Sequence, residues 1–310
     1  MKENKEQGKV IRGLGGAFTV ELPSGAYYTC RAKGSLKRND GRLLVGDDVI
    51  LRIPDEEREG VVVEEILPRR CALIRPPLAN VTHMVLAISG AYPAPALSTA
   101  NKLLSICAHE GITPILAITK QDIAPKEAET LAALYTTAGY PVFTLSSLTG
   151  EGVADLKSYL GKSLERGGIA AFAGASGVGK STLLTALFPS LALETGDLSE
   201  KTERGKHTTR HVELFPFSGG YVADTPGFSL LDFEHFDFFA LEDLVASFPD
   251  FSPYIGMCRY DDCTHTKEEG CALLAAIREG RVAVSRHETY LELYAILKAK
   301  KNSYPKRTGK

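Results

Sequence analysis

The sequence lacks any long apolar run. None approaches the roughly 18 to 20 residues that span a bilayer, so no membrane helix and no membrane partner is expected. The polar, charged segment Met1 to Gln7 is not followed by an apolar stretch. No secretory signal is therefore expected, and a cytoplasmic protein is. An excess of one charge is also lacking: 36 Lys and Arg face 38 Asp and Glu, for a net charge of −2. That balance excludes a wholly basic nucleic-acid coat while leaving room for local basic patches. Neither an internal repeat nor a low-complexity tract is present. With 44% hydrophobic and 24% charged residues the composition is that of a globular protein, which excludes disordered and fibrous classes. Cysteines are few, six in 310 residues. In a reducing compartment these do not read as a disulfide framework, and a spaced cluster among them reads as a metal site.

What is present falls into three textures. Short apolar runs broken by Gly, Pro and Asp occupy the first part: Val10-Ile11, Ala17 to Leu22, Tyr27 to Ala32, Asp48 to Ile53 and Gly60 to Leu67. Strands at this spacing predict a small barrel, and an oligonucleotide/oligosaccharide-binding (OB) barrel fits the length. Arg31, Lys33, Lys37, Arg38 and Arg42 lie close together with only Asp40 opposing them, which suits a phosphate backbone. A purely structural barrel with a solvated basic loop is the alternative. From about residue 78 to 230, apolar runs at Met84 to Ile88, Pro114 to Ile118, Pro141 to Leu145, Ile169 to Ala173 and Tyr221 to Ala223 alternate with helical periodicity. Leu97, Ala100, Leu103, Leu104 and Cys107 keep one such spacing. Ala128, Leu131, Leu134, Tyr135 and Ala138 keep another, with Pro125 near its start and Gly139 beyond its end. This alternation predicts βαβ units and a largely parallel sheet. Beyond about residue 231 only helical segments surround a cysteine cluster.

After the strand-like Ile169 to Ala173 comes Gly174-Ala175-Ser176-Gly177-Val178-Gly179-Lys180-Ser181, then helix-like sequence from Thr182. This is a phosphate-binding loop in its required strand-loop-helix setting. Glycines let backbone N–H groups turn towards phosphates, and the helix N-terminus adds a positive dipole. Lys180 is expected to neutralise the β- and γ-phosphates and Ser181 to ligate Mg²⁺. Further on, Tyr221 to Ala223 leads into Asp224-Thr225-Pro226-Gly227. An Asp closing a strand, with a nearby Gly, is what a nucleotide hydrolase needs to hold Mg²⁺ through water and to sense the γ-phosphate.

Guanine presents N1–H and N2–H₂ side by side, a pair that one carboxylate accepts together. Thr119-Lys120-Gln121-Asp122 supplies that carboxylate in Asp122, with Lys120 along the base plane. Ser146-Ser147 follows another strand-like run and can offer a backbone N–H to guanine O6. Thr266-Lys267-Glu268-Glu269 has the wrong last residue and follows no strand. The order carries the most information: the base motifs precede the phosphate loop, and no acceptable N/T-K-x-D follows Gly227. A GTPase fold with this order is circularly permuted. Its usual ends are joined through Gly150 to Gly168 and its new break falls after the Asp224 to Gly227 switch.

Cys258, Cys263, His265 and Cys271 have the spacing C-x4-C-x-H-x5-C. Three thiolates and an imidazole complete a tetrahedral site that is closed, hence a structural zinc rather than a catalytic one. Cys30, Cys71 and Cys107 are isolated among apolar neighbours and read as packing residues.

Taken together, the barrel, the permuted motif order and the trailing Cys/His cluster resemble the bacterial ribosome small-subunit-dependent GTPase A (RsgA or YjeQ) family. The resemblance runs from about Gly8 to about Leu297 and includes Gly205-Lys206-His207-Thr208-Thr209, similar to the family's G-R-H-T-T switch segment. It implies three parts: an N-terminal OB barrel binding RNA over residues 1–72, a central circularly permuted α/β GTPase over 73–230, and a mostly helical zinc domain with a basic tail over 231–310. It implies as partners the small ribosomal subunit with its rRNA, GTP and GDP, and a hydrolysis that the subunit stimulates. The chain is expected to be a monomer.

Phe228 stands where many GTPases place a water-orienting Gln, so another group must position the hydrolytic water; the resemblance nominates His207, and a ribosomal group is the alternative. Thr208 or Thr209 can ligate Mg²⁺ and contact the γ-phosphate, and Thr209 joins Lys180 and His207 as the expected catalytic set. The tail bears Lys298, Lys300, Lys301, Lys306, Arg307 and Lys310 with no acid after Glu292, an attractor for rRNA phosphates. Two other readings stay open at this level: an RNA-binding scaffold whose nucleotide site only tunes affinity, and an ATP-using P-loop enzyme in which Thr119 to Asp122 is an accident.

Overall fold

The structure, a computed structural model, describes residues 4–32, 42–54, 60–189, 212–224 and 233–303. These form two compact units, each assembled from distant parts of the chain.

The first unit draws on Met1–Met84, Ala154–Phe172 and Leu184–Phe228. It begins with β1 (Asn4–Leu14), β2 (Ala17–Glu21), β3 (Tyr27–Ala32), β4 (Asp48–Ile53) and β5 (Val62–Ile66). The strand order β1-β2-β3-β5-β4 closes by pairing β4 with β1, and β3 runs parallel to β5. This is the five-stranded OB arrangement. Val10, Val20, Leu22, Cys30, Leu43, Val49, Leu51 and Val63 fill its interior. β1 extends well into polar sequence because it serves two partners within the barrel: Asn4 to Lys9 pair with β4, and Lys9 to Leu14 with β2. A Cβ on Gly8 would sit 2.5 Å from Val20 Cγ1 and 2.9 Å from the Glu21 carbonyl oxygen, so glycine is required where the strands close in. In a buried anchor, Asp47 takes Arg69 Nε at 2.6 Å and Nη2 at 2.8 Å, together with the Leu44 N–H.

After the short β6 (Ala72–Leu73) and β7 (Leu78–Ala79), β8 (His83–Ser89) leads into the second unit. The first unit regains the chain in helix α3 (Val153–Leu164), where Leu156, Leu160 and Leu164 are fully buried at helical spacing, and in β11 (Ile169–Ala173). β11 pairs in parallel with β13 (Gly220–Asp224), which pairs antiparallel with β12 (Glu213–Phe217). Arg12 of β1 pairs with Glu213 of β12, so the barrel and this sheet are one hydrogen-bonded surface.

The second unit draws on Val85–Val153, Ala173–Leu183 and Ser229–Lys310. Helix α1 (Leu97–His109) follows β8, then β9 (Thr113–Thr119), α2 (Pro125–Thr137) and β10 (Val142–Thr144). β10 and β9 are parallel, in the order β10-β9-β8. Pro125 is the first residue of α2, where its missing N–H costs nothing, and Ala128, Leu131 and Tyr135 form the buried stripe. Helix α4 (Lys180–Leu187) follows the loop after β11. The C-terminal part has two 3₁₀ segments (Leu241–Asp243 and Pro249–Tyr254), α5 (Ala272–Arg278) and α6 (Val284–Ser303). Helix α6 docks on α1 through the buried Asn101, whose amide donates to Ser285 O at 3.0 Å and Thr289 Oγ1 at 3.2 Å. The basic tail therefore begins inside a helix: Lys300 bonds Asp237 at 2.7 Å, and Lys301 pairs with Glu242. No helix of the described residues is long and apolar enough to cross a membrane.

Candidate nucleotide site and metal centre

Each base motif sits where its strand ends. Thr119 is the last residue of β9 and is buried; its hydroxyl donates to the Val178 carbonyl at 2.6 Å, tying this strand end to the phosphate loop. Lys120 takes a positive φ of 63°, which turns its side chain back so that Nζ donates to the Gly177 carbonyl at 2.9 Å and to the Tyr92 carbonyl. Asp122 is left exposed. Ser146 is buried, with its N–H held by the Glu151 carbonyl at 3.0 Å and its hydroxyl accepting from Thr149 N. Ser147 thus holds the N–H that has no partner among the described residues. A cavity of about 240 Å³ is lined by Thr119, Lys120, Asp122, Ser146, Ser147, Val178, Gly179 and Thr182, so the base motifs and the phosphate loop share one wall. Ala91, Tyr92, Ile123 and Leu148 complete the lining. Ile123 and Leu148 directly follow motif residues in sequence, but nothing in the sequence singles out Tyr92.

The phosphate loop is shaped by its glycines. Gly174 has φ +145°, and a Cβ there would lie 2.4 Å from the Ala87 carbonyl oxygen; Gly177 and Gly179 have φ of +78° and +96°. Side chains are excluded from the first position by contact and disfavoured at the others by conformation. Lys180 Nζ donates to the carbonyls of Gly174 at 2.7 Å and Ala175 at 3.0 Å. Burial lowers the pKa of this ammonium below the usual lysine value, so an anion beside it would restore the favoured charged form. Ser181 and Thr182 are exposed in the first turn of α4, and Asp224 is the last residue of β13. Lys206, His207, Thr208, Thr209, Gly227 and Phe228 lie outside the described residues, as do Lys33, Lys37 and Arg38 of the basic loop. Arg31 is an exposed residue of β3, and Arg42 is exposed with its carbonyl taken by Arg69 Nη2 at 2.8 Å.

Cys258, Cys263, His265 and Cys271 bring their ligand atoms within 4.8 Å of one another. The Cys258 and Cys271 sulfurs are 3.8 Å apart, and each lies 3.5 Å from His265 Nδ1. A tetrahedral site with ordinary Zn–S and Zn–N bonds needs about 3.8 Å between sulfurs and about 3.6 Å from sulfur to nitrogen, so Cys258, His265 and Cys271 are already at ligating separations, with Cys263 beside them. Burial pushes the Cys263 thiol up to about 12 and raises Cys271, so thiolates here call for a cation beside them. Burial lowers His265, which favours the neutral imidazole that ligates. The His265 carbonyl is bonded by His287 Nε2 at 2.8 Å, and Tyr290 donates to Thr264 O at 2.9 Å, fixing the cluster to α6. Glu268 braces the turn that carries these ligands. Burial would raise its carboxyl, but donation from the Thr264 hydroxyl and from the backbone N–H groups of Lys267 and Thr264 takes it down to about 2. Cys30, Cys71 and Cys107 are buried and form no disulfide.

Comparison with known proteins agrees with this layout. The model of the RsgA GTPase matches residues 66–234 and that of the RsgA N-terminal domain matches 7–62. The chain belongs to the RsgA GTPase family. It is accordingly a GTP hydrolase, a chemistry that implies Mg²⁺; separately, the Cys/His cluster is a group that could hold a metal ion. A protein of Moorella thermoacetica named small ribosomal subunit biogenesis GTPase RsgA is 40% identical over 299 residues, covering 96% of this chain and 99% of that one. The protein of the same name from Alkaliphilus metalliredigens is 37% identical, covering 94% and 98%. Among solved structures, YjeQ from Thermotoga maritima superposes with a TM-score of 0.78 at 29% identity, covering 95% and 99%. YloQ, described as a circularly permuted GTPase, gives 0.76 at 32% identity, covering 97% and 98%. The permutation expected from motif order is thus a property of the fold.

Proposed function

We propose that this chain binds the small ribosomal subunit and acts late in its maturation, hydrolysing GTP to GDP and phosphate with stimulation by the subunit. The observation that carries the reading is the shared cavity, where Asp122, Ser147 and Lys120 meet the phosphate loop. The names of the relatives supply the ribosomal setting.

In this reading Asp122 accepts guanine N1–H and N2–H₂, the Ser147 N–H meets O6, and Lys120 lies along the base. Gly174 to Gly179 present backbone N–H groups to the phosphates, and Lys180 leaves the loop carbonyls for the β- and γ-oxygens. Ser181, Asp224 and Thr209 are the residues suited to Mg²⁺, whose role when bound is to neutralise charge developing on the phosphates. His207 positions the attacking water in place of the Gln that Phe228 displaces. The division at 1–72, 73–230 and 231–310, zinc in the Cys/His cluster, rRNA contact through Arg31, Lys33, Lys37, Arg38 and Arg42, a monomeric state and a cytoplasmic location complete the proposal.

The test is GTP turnover by the full chain with increasing amounts of purified small subunits, large subunits serving as control. A large rise with small subunits alone is expected, and His207→Ala should abolish that rise while GTP affinity survives. A flat response accompanied by tight GTP-dependent binding would favour a nucleotide-tuned scaffold instead. Unchanged stimulation in His207→Ala would remove His207 from catalysis.

A further inference from the structure

The cavity that joins the base motifs to the phosphate loop carries three large apolar side chains on its rim: Tyr92, Ile123 and Leu148, exposed by 87%, 66% and 79%. Only Met257 at 71% matches that degree of exposure among the other large apolar residues described. Apolar groups left in water on one cavity mark a surface that something apolar covers.

Tyr92 is held in place by its backbone. The loop leaves β8 at Ser89, whose buried hydroxyl accepts the Ala91 N–H at 3.1 Å, and Gly90 N–H donates to the Thr119 carbonyl at 2.9 Å. The Tyr92 carbonyl then accepts Lys120 Nζ, the same ammonium that grips Gly177 of the phosphate loop. Pro93 closes the far side, its ring 3.5 Å from where a Cβ of Gly177 would be. The main chain at Tyr92 is therefore pinned to both the base motif and the phosphate loop, while the phenol ring stands free at the cavity mouth. Pinning a backbone and leaving a large ring in solvent is hard to explain by folding alone, since the ring contributes little to the core.

We infer that Tyr92 is an aromatic clamp that packs with Ile123 and Leu148 on the faces of the guanine ring, and so sets nucleotide affinity without reading the base edge. The inference rests on the reading of this cavity as a guanine-nucleotide site. The occupant fits on chemical grounds: a purine has a polar edge, which Asp122 and Ser147 address, and two π-faces that favour contact with aromatic and aliphatic side chains. Such face contacts are sequence-tolerant because every base has them. Tyr92 thus acts on affinity and Asp122 on the choice of base. The Lys120 link to the Tyr92 carbonyl also means that the clamp and the base motif are positioned by one side chain.

The experiment is calorimetric titration of the full chain with GDP, ADP and inorganic pyrophosphate. Tyr92→Ala should weaken GDP about tenfold, which is about 1.4 kcal/mol, while Tyr92→Phe stays near the parent and the preference for GDP over ADP is kept in both. Asp122→Asn should instead erode that preference. Because the chain has no tryptophan, Tyr92→Trp installs a single indole at the rim, and its fluorescence should change on adding GDP but not pyrophosphate. If the parent binds no GDP, the reading of the cavity fails and the clamp with it. If the parent binds GDP and Asp122→Asn shifts its base preference, yet Tyr92→Ala binds GDP as tightly as the parent, the clamp alone is overturned. An indole response to pyrophosphate equal to that for GDP would likewise overturn it, since the ring would then be reporting the phosphate loop.

Discussion

Gly174 shows how much a single missing side chain decides. Its φ of +145° and the Ala87 carbonyl 2.4 Å from a would-be Cβ leave no room for alanine without moving the loop. Backbone strain of about 1–3 kcal/mol would be relieved by turning the loop N–H groups away from phosphate. Gly174→Ala is therefore expected to weaken GDP by about tenfold or more, read by titration, with little change in secondary structure by circular dichroism. An unchanged affinity would mean that the loop tolerates the shift. At this scale the sequence is most legible where a chemistry demands a pattern: the phosphate loop, Thr119 to Asp122, and the four metal-type ligands. Tyr92 is not legible, because a lone tyrosine in a loop acquires a role only from what surrounds it in space.

At the scale of elements, the junction of α6 with the Pro249–Tyr254 segment depends on a buried ion pair. Arg286 is 1% exposed and donates to Asp250 at 2.6 and 3.0 Å and to Tyr140 Oη at 3.2 Å, with the Phe248 ring 4.6 Å away. Removing one partner of such a pair strands the other charge. Asp250→Ala should cost about 3–5 kcal/mol, seen as a lower urea midpoint, and Asp250→Asn should cost less because it still accepts a hydrogen bond. A shift under about 1 kcal/mol, the range of exposed pairs, would show that water reaches Arg286. β3 and β4 run over the very residues expected, and β11 does too, since alternation and apolar runs are local signals. β12 is hidden in the sequence because Pro216 interrupts it; it pairs with β13 along one edge and takes only Arg12 of β1 on the other. The residues of α3 read as a mere connection between motifs, although Leu156, Leu160 and Leu164 keep a helical spacing. The tail lysines up to Lys301 look like free charge in the sequence, and only the fold reveals Asp237 and Glu242 opposite them.

At the scale of the whole molecule, the stretch from Ile255 to Cys271 that carries the Cys/His ligands has no helix or strand of its own, so a metal bound there is expected to supply much of its folding energy. One zinc per chain is expected by elemental analysis. Cys271→Ser should lose it and open the stretch from about 255 to 275 to protease, and full metal retention would displace Cys271 from the ligand set. The barrel has a different kind of support. β1 belongs to the barrel and also pairs with β12, which pairs with the strand ending at Asp224.

By itself, the sequence determined the chemistry and its order: a phosphate loop after the base motifs, a Cys/His spacing suited to zinc, and hence a permuted GTPase. Those features are legible because they are short, local and demanded by the ligands. The tertiary structure decided which groups share a cavity, which lysines are already paired, why β1 is long and what stands at the rim with Asp122. Such facts depend on residues far apart in the chain, and steric contact and burial arise only once the chain has closed on itself.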